Sequence, residues 1–260
     1  GQGWGKVPWS QKEMELTDEI VGVVNLIDSV YQKFGFKYHV ELSTRPEDSM
    51  GSDEDWARAE EGLRTALEKL GMDYEVNEGD GAFYGPKIDF HLEDSLGRTW
   101  QCGTVQLDFQ MPLNFDLEYV DADGTKKRPI MLHRVCFGSI ERFIGVITEH
   151  FAGAFPAWLS PVQVKLLPVT DRAMDYAKNV AAQLDSQGFR VEVDGRNEKI
   201  GKKIREATME KVPYMLVVGD RDMENGTVSV RHRSGEDLGA MSLDAFAQLL
   251  GEEVRAKTIK

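Results

Sequence analysis

"KIDFHLEDSLGRTWQCGTVQLDFQM", residues 87–111, reads as two strands on either side of a short polar turn. Ile88, Phe90 and Leu92 recur at every second place, which sends one face of the segment to a core and the other away from it. Two such runs one turn apart imply an antiparallel pair. The second run carries a difficulty. Gln101, Thr104 and Gln106 stand in an otherwise apolar strand, and strict alternation places Gln101 and Gln106 on opposite faces. A bulge at Gly103 would reset that parity. An unpaired buried amide costs about 1–3 kcal/mol. Either the glutamines are solvated on an edge strand, or they meet partners in a site.

The neighbouring segments extend the same pattern. "YEV" at 74–76 and "KYHVELS" at 37–43 are strand-like, and "DLEYVDADGTKKRPIMLHR" at 116–134 places Asp123-Gly124 turn chemistry between two more strands. Helices frame this sheet. Thr17–Phe34 has Ile20, Val23, Val24, Ile27, Val30, Tyr31 and Phe34 at helical steps, with Thr17 placed to cap it. Ser52 and Asp55 open a second helix that Gly71 ends. A third runs from Gly138 to Ala152 with an apolar stripe of Ile140, Phe143, Ile144 and Ile147.

The rhythm changes at "AFPAWLSPVQ", 154–163. Beyond it, strands at "VQVKLLPV", "FRVEVD", "YMLVVG" and "GTVSVRHR" alternate with helices over Asp171–Gln187, Lys199–Lys211 and Leu243–Lys257. That βαβ alternation implies a mainly parallel or mixed sheet. The fold class expected is therefore α/β (α+β) in two domains, 1–159 with an antiparallel sheet and 160–260 with a mixed one.

Composition bounds the function. In 260 residues, 41% are apolar and 29% charged, which suits packed cores. No apolar run approaches the roughly 20 residues of a membrane helix, and "GQGWGKVPWSQKEMEL" lacks the apolar region of a signal peptide. Two cysteines, Cys102 and Cys136, fit a reducing compartment, hence a cytoplasmic location. The net charge of −13 opposes indiscriminate nucleic-acid binding. Against it, "RNEKIGKKIR" at 196–205 concentrates Arg196, Lys199, Lys202, Lys203 and Arg205, and "VRHRSG" at 230–235 adds Arg231, His232 and Arg233.

Several residues have two readings. In "GAFYGPKIDF", 81–90, Tyr84 and Lys87 belong either to a glycine–proline strand entry or to a rim where backbone approaches a ligand and Lys87 supplies charge. His133 is structural or a ligand, with Cys136 the only nearby zinc-type partner. Arg142 pairs with Glu141 on a helix surface, or its guanidinium faces phosphates or a base. The basic stretches are a solvated surface, or a place where Lys199, Lys202 and Lys203 hold phosphates while Asn197 and Arg231 read bases.

Taken together, "STRPEDSMGSDEDW", "GAFYGPKIDF", "QCGTVQLDFQMP", "HRVCFGSIERFIG", "FPAWLSPVQV", "RNEKIGKKIREA" and "VPYMLVVGDRD" resemble the threonyl-tRNA synthetases in order and spacing, from about Thr17 onward. The resemblance implies part of a class II catalytic sheet followed by an anticodon-binding domain, ATP with Mg2+, threonine and tRNA-Thr as ligands, a catalytic zinc and a homodimer. It places Arg142 on ATP and Ser139 beside the adenylate, both in "GSIERF". Tyr84, Lys87, Gln101 and Gln106 would line the threonine and adenylate pocket, and Thr104 would touch the adenylate. Lys87 joins Arg142 as a catalytic charge, and His133 matches one zinc ligand. Asn197, Lys199, Lys202, Arg205, Asp222 and Arg231 would serve the anticodon. The second class II motif's arginine, and the Cys and His that complete the zinc triad, find no match, and residues 1 to about 15, with Trp4 and Trp9, do not resemble the family. The expectation is a truncated synthetase lacking the first two class II motifs; a catalytically inactive anticodon-binding module or paralogue is the alternative.

Overall fold

The computed structural model describes residues 9–259, with side chains from Leu16 onward; Trp4 and the side chain of Trp9 lie outside the described residues. The chain divides into two compact units, Gly1–Val146 and Ile147–Lys260.

The first unit begins with α1 (Trp9–Phe34), followed by β1 (Tyr38–Ser43), α2 (Asp53–Lys69), β2 (Glu75–Asn77), β3 (Lys87–Glu93) and β4 (Thr99–Asp108). A single turn α3 (Met111–Asn114) leads to the small hairpin β5 (Tyr119–Val120) and β6 (Lys126–Lys127), then β7 (Met131–Val135) and α4 (Ile140–His150). The main sheet has the order β2-β1-β3-β4-β7. All its pairs are antiparallel except β1 with β2, which α2 connects as a parallel crossover.

The alternation in β1, β3 and β4 makes one sheet face apolar. Val40, Leu42, Ile88, Phe90, Leu92, Val105 and Leu107 are buried there, with Ile20, Val24, Ile27 and Tyr31 from α1 and Trp56, Leu63 and Leu67 from α2 completing the core. Ser52 caps α2 by accepting from the Asp55 amide, and Gly71, at φ +60°, follows its end. The capping role expected of Thr17 is corrected: α1 starts at Trp9, and Thr17 is an internal, buried residue. The upstream Gln, Lys, Glu and Met are good helix formers and carry the helix past it. α4 is shorter than its periodicity suggests, since Gly138 and Ala152 are both left-handed. Of its expected stripe, Phe143 and Ile147 are buried while Ile140 and Ile144 are more than half exposed.

The second unit contains β8 (Val164–Pro168), a short 3-10 turn at Asp171–Ala173, α5 (Met174–Ser186), β9 (Val191–Val193), α6 (Ile200–Met209), β10 (Tyr214–Val218), α7 (Asp220–Asn225), β11 (Thr227–His232), β12 (Asp237–Ser242) and α8 (Leu243–Ala256). Its sheet runs β12-β11-β10-β8-β9, parallel at β9, β8 and β10 and antiparallel beyond. One face packs on α5 and α8 through Val164, Leu166, Leu216, Val228, Val180, Leu184, Phe246 and Leu250; the other packs Leu167 and Met215 against Ala207 of α6. The segment before Ser160 packs here too. Ala157 lies in this core, and Arg190 and Arg233 donate to the carbonyls of Trp158 and Phe155.

The bulge decides the difficult parity. Phe90 pairs with Gly103 and His91 with Gln101, so Cys102 is the extra residue. Gly103 lies under α1: a Cβ there would sit 2.5 Å from the Tyr31 hydroxyl and 3.1 Å from Phe90 Cβ. That hydroxyl donates to the Cys136 carbonyl at 2.7 Å. Gly103→Ala should therefore destabilise the chain by about 1–3 kcal/mol through overpacking, and Tyr31→Phe by about 1 kcal/mol through the lost hydrogen bond. Because the second substitution removes the atom that the first collides with, the double variant should lose clearly less than the sum in denaturant titrations. Additive losses would show that α1 does not press on the bulge.

Candidate functional site

The face of the first sheet opposite the core is polar. Cross-strand register sets its rows: Ser43, Lys87, Gln106 and His133 in one, Glu41, Asp89 and Thr104 in the next, and His39, His91 and Gln101 in a third. The bulge puts Gln101, Thr104 and Gln106 together on this face. Gln106 is half-buried between β3 and β7, whereas Gln101 is exposed beyond the reach of β7 and is held by Asp89.

Asp89 organises the middle of the face. Its carboxylate is buried and accepts from Ser43 Oγ at 2.8 Å, Gln101 Nε2 at 2.6 Å and Thr104 Oγ1 at 2.7 Å, and pairs with Lys87 Nζ at 2.8 Å. Lys87 also reaches Asp80 at 3.1 Å. Burial alone would lower the Lys87 pKa, but the hydrogen bonds and charges of Asp89 and Asp80 outweigh it and hold it above the ordinary lysine value. The ammonium is thus fixed in place and in charge. Tyr84 donates to Gln106 Oε1 at 2.6 Å, which orients the amide. Burial, then the charge of Asp108, raise the Tyr84 pKa against a smaller lowering by Lys87, so the phenol keeps its proton. Gly85 is required beside it: a Cβ there would meet the Leu107 carbonyl at 1.7 Å.

Asp108 is a second buried carboxylate. It takes the Gln110 and Met111 amides on one oxygen, both at 2.9 Å, and His133 Nε2 on the other at 2.8 Å. A carboxylate that holds one imidazole nitrogen commonly leaves the other for a metal. The zinc that the resemblance implies takes three protein ligands, and among the described residues His133 belongs to no three-ligand cluster. Burial raises the Cys136 thiol pKa, with Arg134 opposing, which disfavours the thiolate that a zinc ligand needs. The residues present do not fit that zinc.

Arg142 bridges the turn after β7 to the bulge. Its Nη2 donates to the Gln101 carbonyl. Gly138, at φ +63°, is packed against this guanidinium, where a Cβ would come within 2.7 Å of Nη2. Ser139 accepts from the Arg142 amide at 3.3 Å and donates to Glu141 at 2.8 Å, so it closes the first turn of α4. Arg142 is thus neither simply exposed nor paired with Glu141. The structure gathers Tyr84, Lys87, Gln101, Thr104, Gln106 and His133 on one face, with Arg142 and Ser139 at its end. Asp89, Asp108 and Ser43 were missed by the sequence reading, although an Asp flanked by Ile88 and Phe90 is a visible signal.

In the second unit, Arg231 pairs in register with Met215, which packs under α6. Ser229 and Arg231 therefore share the α6 side of the sheet, and the two basic stretches converge there. Asn197, Lys199, Lys202 and Arg205 are exposed. Lys202 pairs with Glu198 at 2.6 Å and Arg231 with Asp237 at 2.9 Å. Asp222 is buried and accepts from Gly219 N, Thr227 Oγ1 and Ser229 Oγ, which leaves roughly one of a carboxylate's four acceptor positions for a ligand. The phosphate-holding role expected of Lys203 is corrected: it is 3% exposed and donates to the carbonyls of Pro168 and Asp194, both at 3.1 Å.

Comparison with known proteins agrees with both units. The family model of the tRNA synthetase class II core domain (G, H, P, S and T) matches residues 8–151, and that of the anticodon binding domain matches 163–253. The chain belongs to the class II tRNA synthetases. Within that family its likeness is to the threonine–tRNA ligases: 65% identity over 243 residues with that of Acetivibrio thermocellus and 63% over 245 with that of Syntrophomonas wolfei. Each match covers 94% of this chain and 38% or 39% of the relative, so the chain spans well under half the length of these ligases. A crystal structure titled as the RNA binding domain of threonyl-tRNA synthetase from Cryptosporidium parvum superposes with a TM-score of 0.88 at 39% identity, covering 92% of this chain and 60% of that one.

Among synthetase-like features of the first unit, Asp89 makes the sharpest structural prediction. Asp89→Asn keeps the shape but strands Lys87 and turns an amide donor toward other donors. It should cost roughly 3–5 kcal/mol, as for loss of one partner of a buried pair. Asp80→Asn, on the exposed partner, should cost no more than about 1 kcal/mol. Equal losses in chemical denaturation would remove Asp89 from the centre of the network.

Proposed function

We propose that this chain carries part of the threonine- and ATP-facing floor of a threonine–tRNA ligase, together with its anticodon-binding domain. The observation that carries the reading is the convergence of Tyr84, Lys87, Gln101, Thr104 and Gln106 on one polar sheet face, with Arg142 at its end. The reaction joins the threonine carboxylate to the α-phosphate of ATP, releases pyrophosphate, and then moves threonine to the tRNA 3′ end with release of AMP. Negative charge develops at the α-phosphate, and preoriented cations lower that barrier most when they are already fixed. Lys87, locked by Asp89 and Asp80, and Arg142, held over the bulge, are such cations. Mg2+ would accompany ATP and share this charge. Gln101, with one amide N–H on Asp89, and Thr104, whose hydroxyl donates to Asp89, would offer their oxygen acceptors to the adenylate, with Ser139 beside it. The Tyr84–Gln106 pair would face the amino acid, and no step is assigned to zinc. Among the described residues, no helix is long and apolar enough to cross a membrane.

With Arg142 the matched class II arginine and one His in place of a zinc triad, the chain by itself should give no threonine-dependent pyrophosphate exchange above a no-enzyme blank. Exchange at a measurable rate would show that the residues present suffice.

The second unit should bind a tRNA-Thr anticodon stem-loop on its α6 side. Lys202→Ala should weaken all stem-loops alike and flatten the salt dependence by about one charge. Arg231→Ala should cost roughly 1–3 kcal/mol and act mainly on the cognate loop. Competition titrations with cognate and anticodon-swapped loops at two salt concentrations separate the two. Equal affinity of the unsubstituted chain for both loops would leave only an electrostatic surface.

A further inference from the structure

We propose that His39, Glu41 and His91 form a binding site for a divalent transition-metal ion, with zinc as the ion bound. The site follows from strand pairing. His39 on β1 lies directly opposite His91 on β3, and Glu41 follows His39 on the same face. The ligand atoms all lie within 4.8 Å of one another. His39 Nε2 is 3.2 Å from Glu41 Oε1, and His91 Nε2 is 3.4 Å from Glu41 Oε2. A tetrahedral zinc ion with bonds of about 2.0–2.1 Å requires ligand atoms about 3.3 Å apart, which both histidine–glutamate distances already match.

Three further observations favour a ligand over a plain ion pair. The two imidazoles are stacked, with planes 9° apart and centroids 4.9 Å apart, which presents both Nε2 edges to the same carboxylate. His91 Nε2 is a buried atom without a hydrogen-bond partner. Asn77 Nδ2 donates to Glu41 Oε2 at 2.9 Å, the kind of outer bond that fixes a ligating carboxylate. Glu41 also stands beside the exposed Glu75 on β2, which adds negative charge near the site. Two imidazoles and a carboxylate suit zinc and its neighbours rather than calcium or magnesium. Three protein ligands leave a fourth position for water. The site does not involve His133 and does not rest on the synthetase reading. Its effect would be to clamp β1 to β3.

The test uses the full chain stripped of metal and titrated with Co2+ as a visible probe, then with Zn2+ as competitor. One equivalent of Co2+ should bind with four- or five-coordinate d–d absorption, Zn2+ should displace it, and the melting temperature should rise by several degrees at saturating Zn2+. His91→Ala and the shape-preserving Glu41→Gln should each weaken binding at least tenfold, while His133→Ala should leave it unchanged. Circular dichroism shows which variants are folded; should His91→Ala unfold, Glu41→Gln decides. Absence of stoichiometric binding by the unsubstituted chain, undiminished binding by folded Glu41→Gln, or loss on His133→Ala would each overturn the proposal.

Discussion

One extra residue in β4 sets the geometry of the first unit. With Cys102 bulged out, Gly103 faces the core opposite Phe90 while Gln101 returns to the polar face opposite His91. Without it, one of the two glutamines would enter the apolar layer beneath α1, at a cost of about 1–3 kcal/mol for an unpaired amide. The bulge also frees a backbone carbonyl, and that of Gln101 receives Arg142. Tyr31 spans from α1 past Gly103 to the Cys136 carbonyl. The helix, the bulge and the turn before α4 are thereby tied at one point, and Arg142 inherits its position from all three.

Buried carboxylates govern the chemistry of the polar face. Asp89 and Asp108 lie beneath it and spend their acceptors inward, on Ser43, Lys87, Gln101, Thr104, His133 and two backbone amides. Each is affordable in a buried place only because its lone pairs are filled by donors. The outward result is a surface whose amides are oriented and whose lysine stays charged. Such a surface has little to reorganise when an anionic ligand arrives, which is the condition under which fixed dipoles and charges act most strongly.

The legible parts of the sequence were those with a strong period. The apolar alternation of Val40, Leu42, Ile88, Phe90 and Leu92, and the helical steps of α1 and α6, read directly as elements. The bulge was visible as a conflict between Gln101 and Gln106 that Gly103 could resolve, although only the register shows that Cys102 is the extra residue. Other features had weak or misleading local signals. β12 is an edge strand over "DLGAMS", where Gly239 at φ +77° and mostly exposed side chains hide the alternation. α7 is only six residues long. Lys203 looked like one more surface cation, but its burial depends on Pro168 and Asp194, which long-range folding brings to it. The Asp89 network and the His39–Glu41–His91 cluster join different strands, so no single window contains either.

Charge pairing bears on how an acidic chain can meet an RNA. Several cations of the basic face already have carboxylate partners: Arg196 has Asp194 and Glu206, Lys202 has Glu198, and Arg231 has Asp237. The Arg196 hydrogen bond holds the Asp194 pKa down to about 2, against a burial effect that would raise it, so this pair persists throughout the physiological range. A phosphate approaching Lys202 or Arg231 therefore exchanges for a carboxylate instead of filling an empty place. At exposed sites such pairs are worth only up to about 1 kcal/mol, so the exchange is cheap where geometry favours the RNA and unrewarded elsewhere. If this face takes up an anticodon loop as proposed, that internal pairing would disfavour loosely docked polyanions on a chain of charge −13.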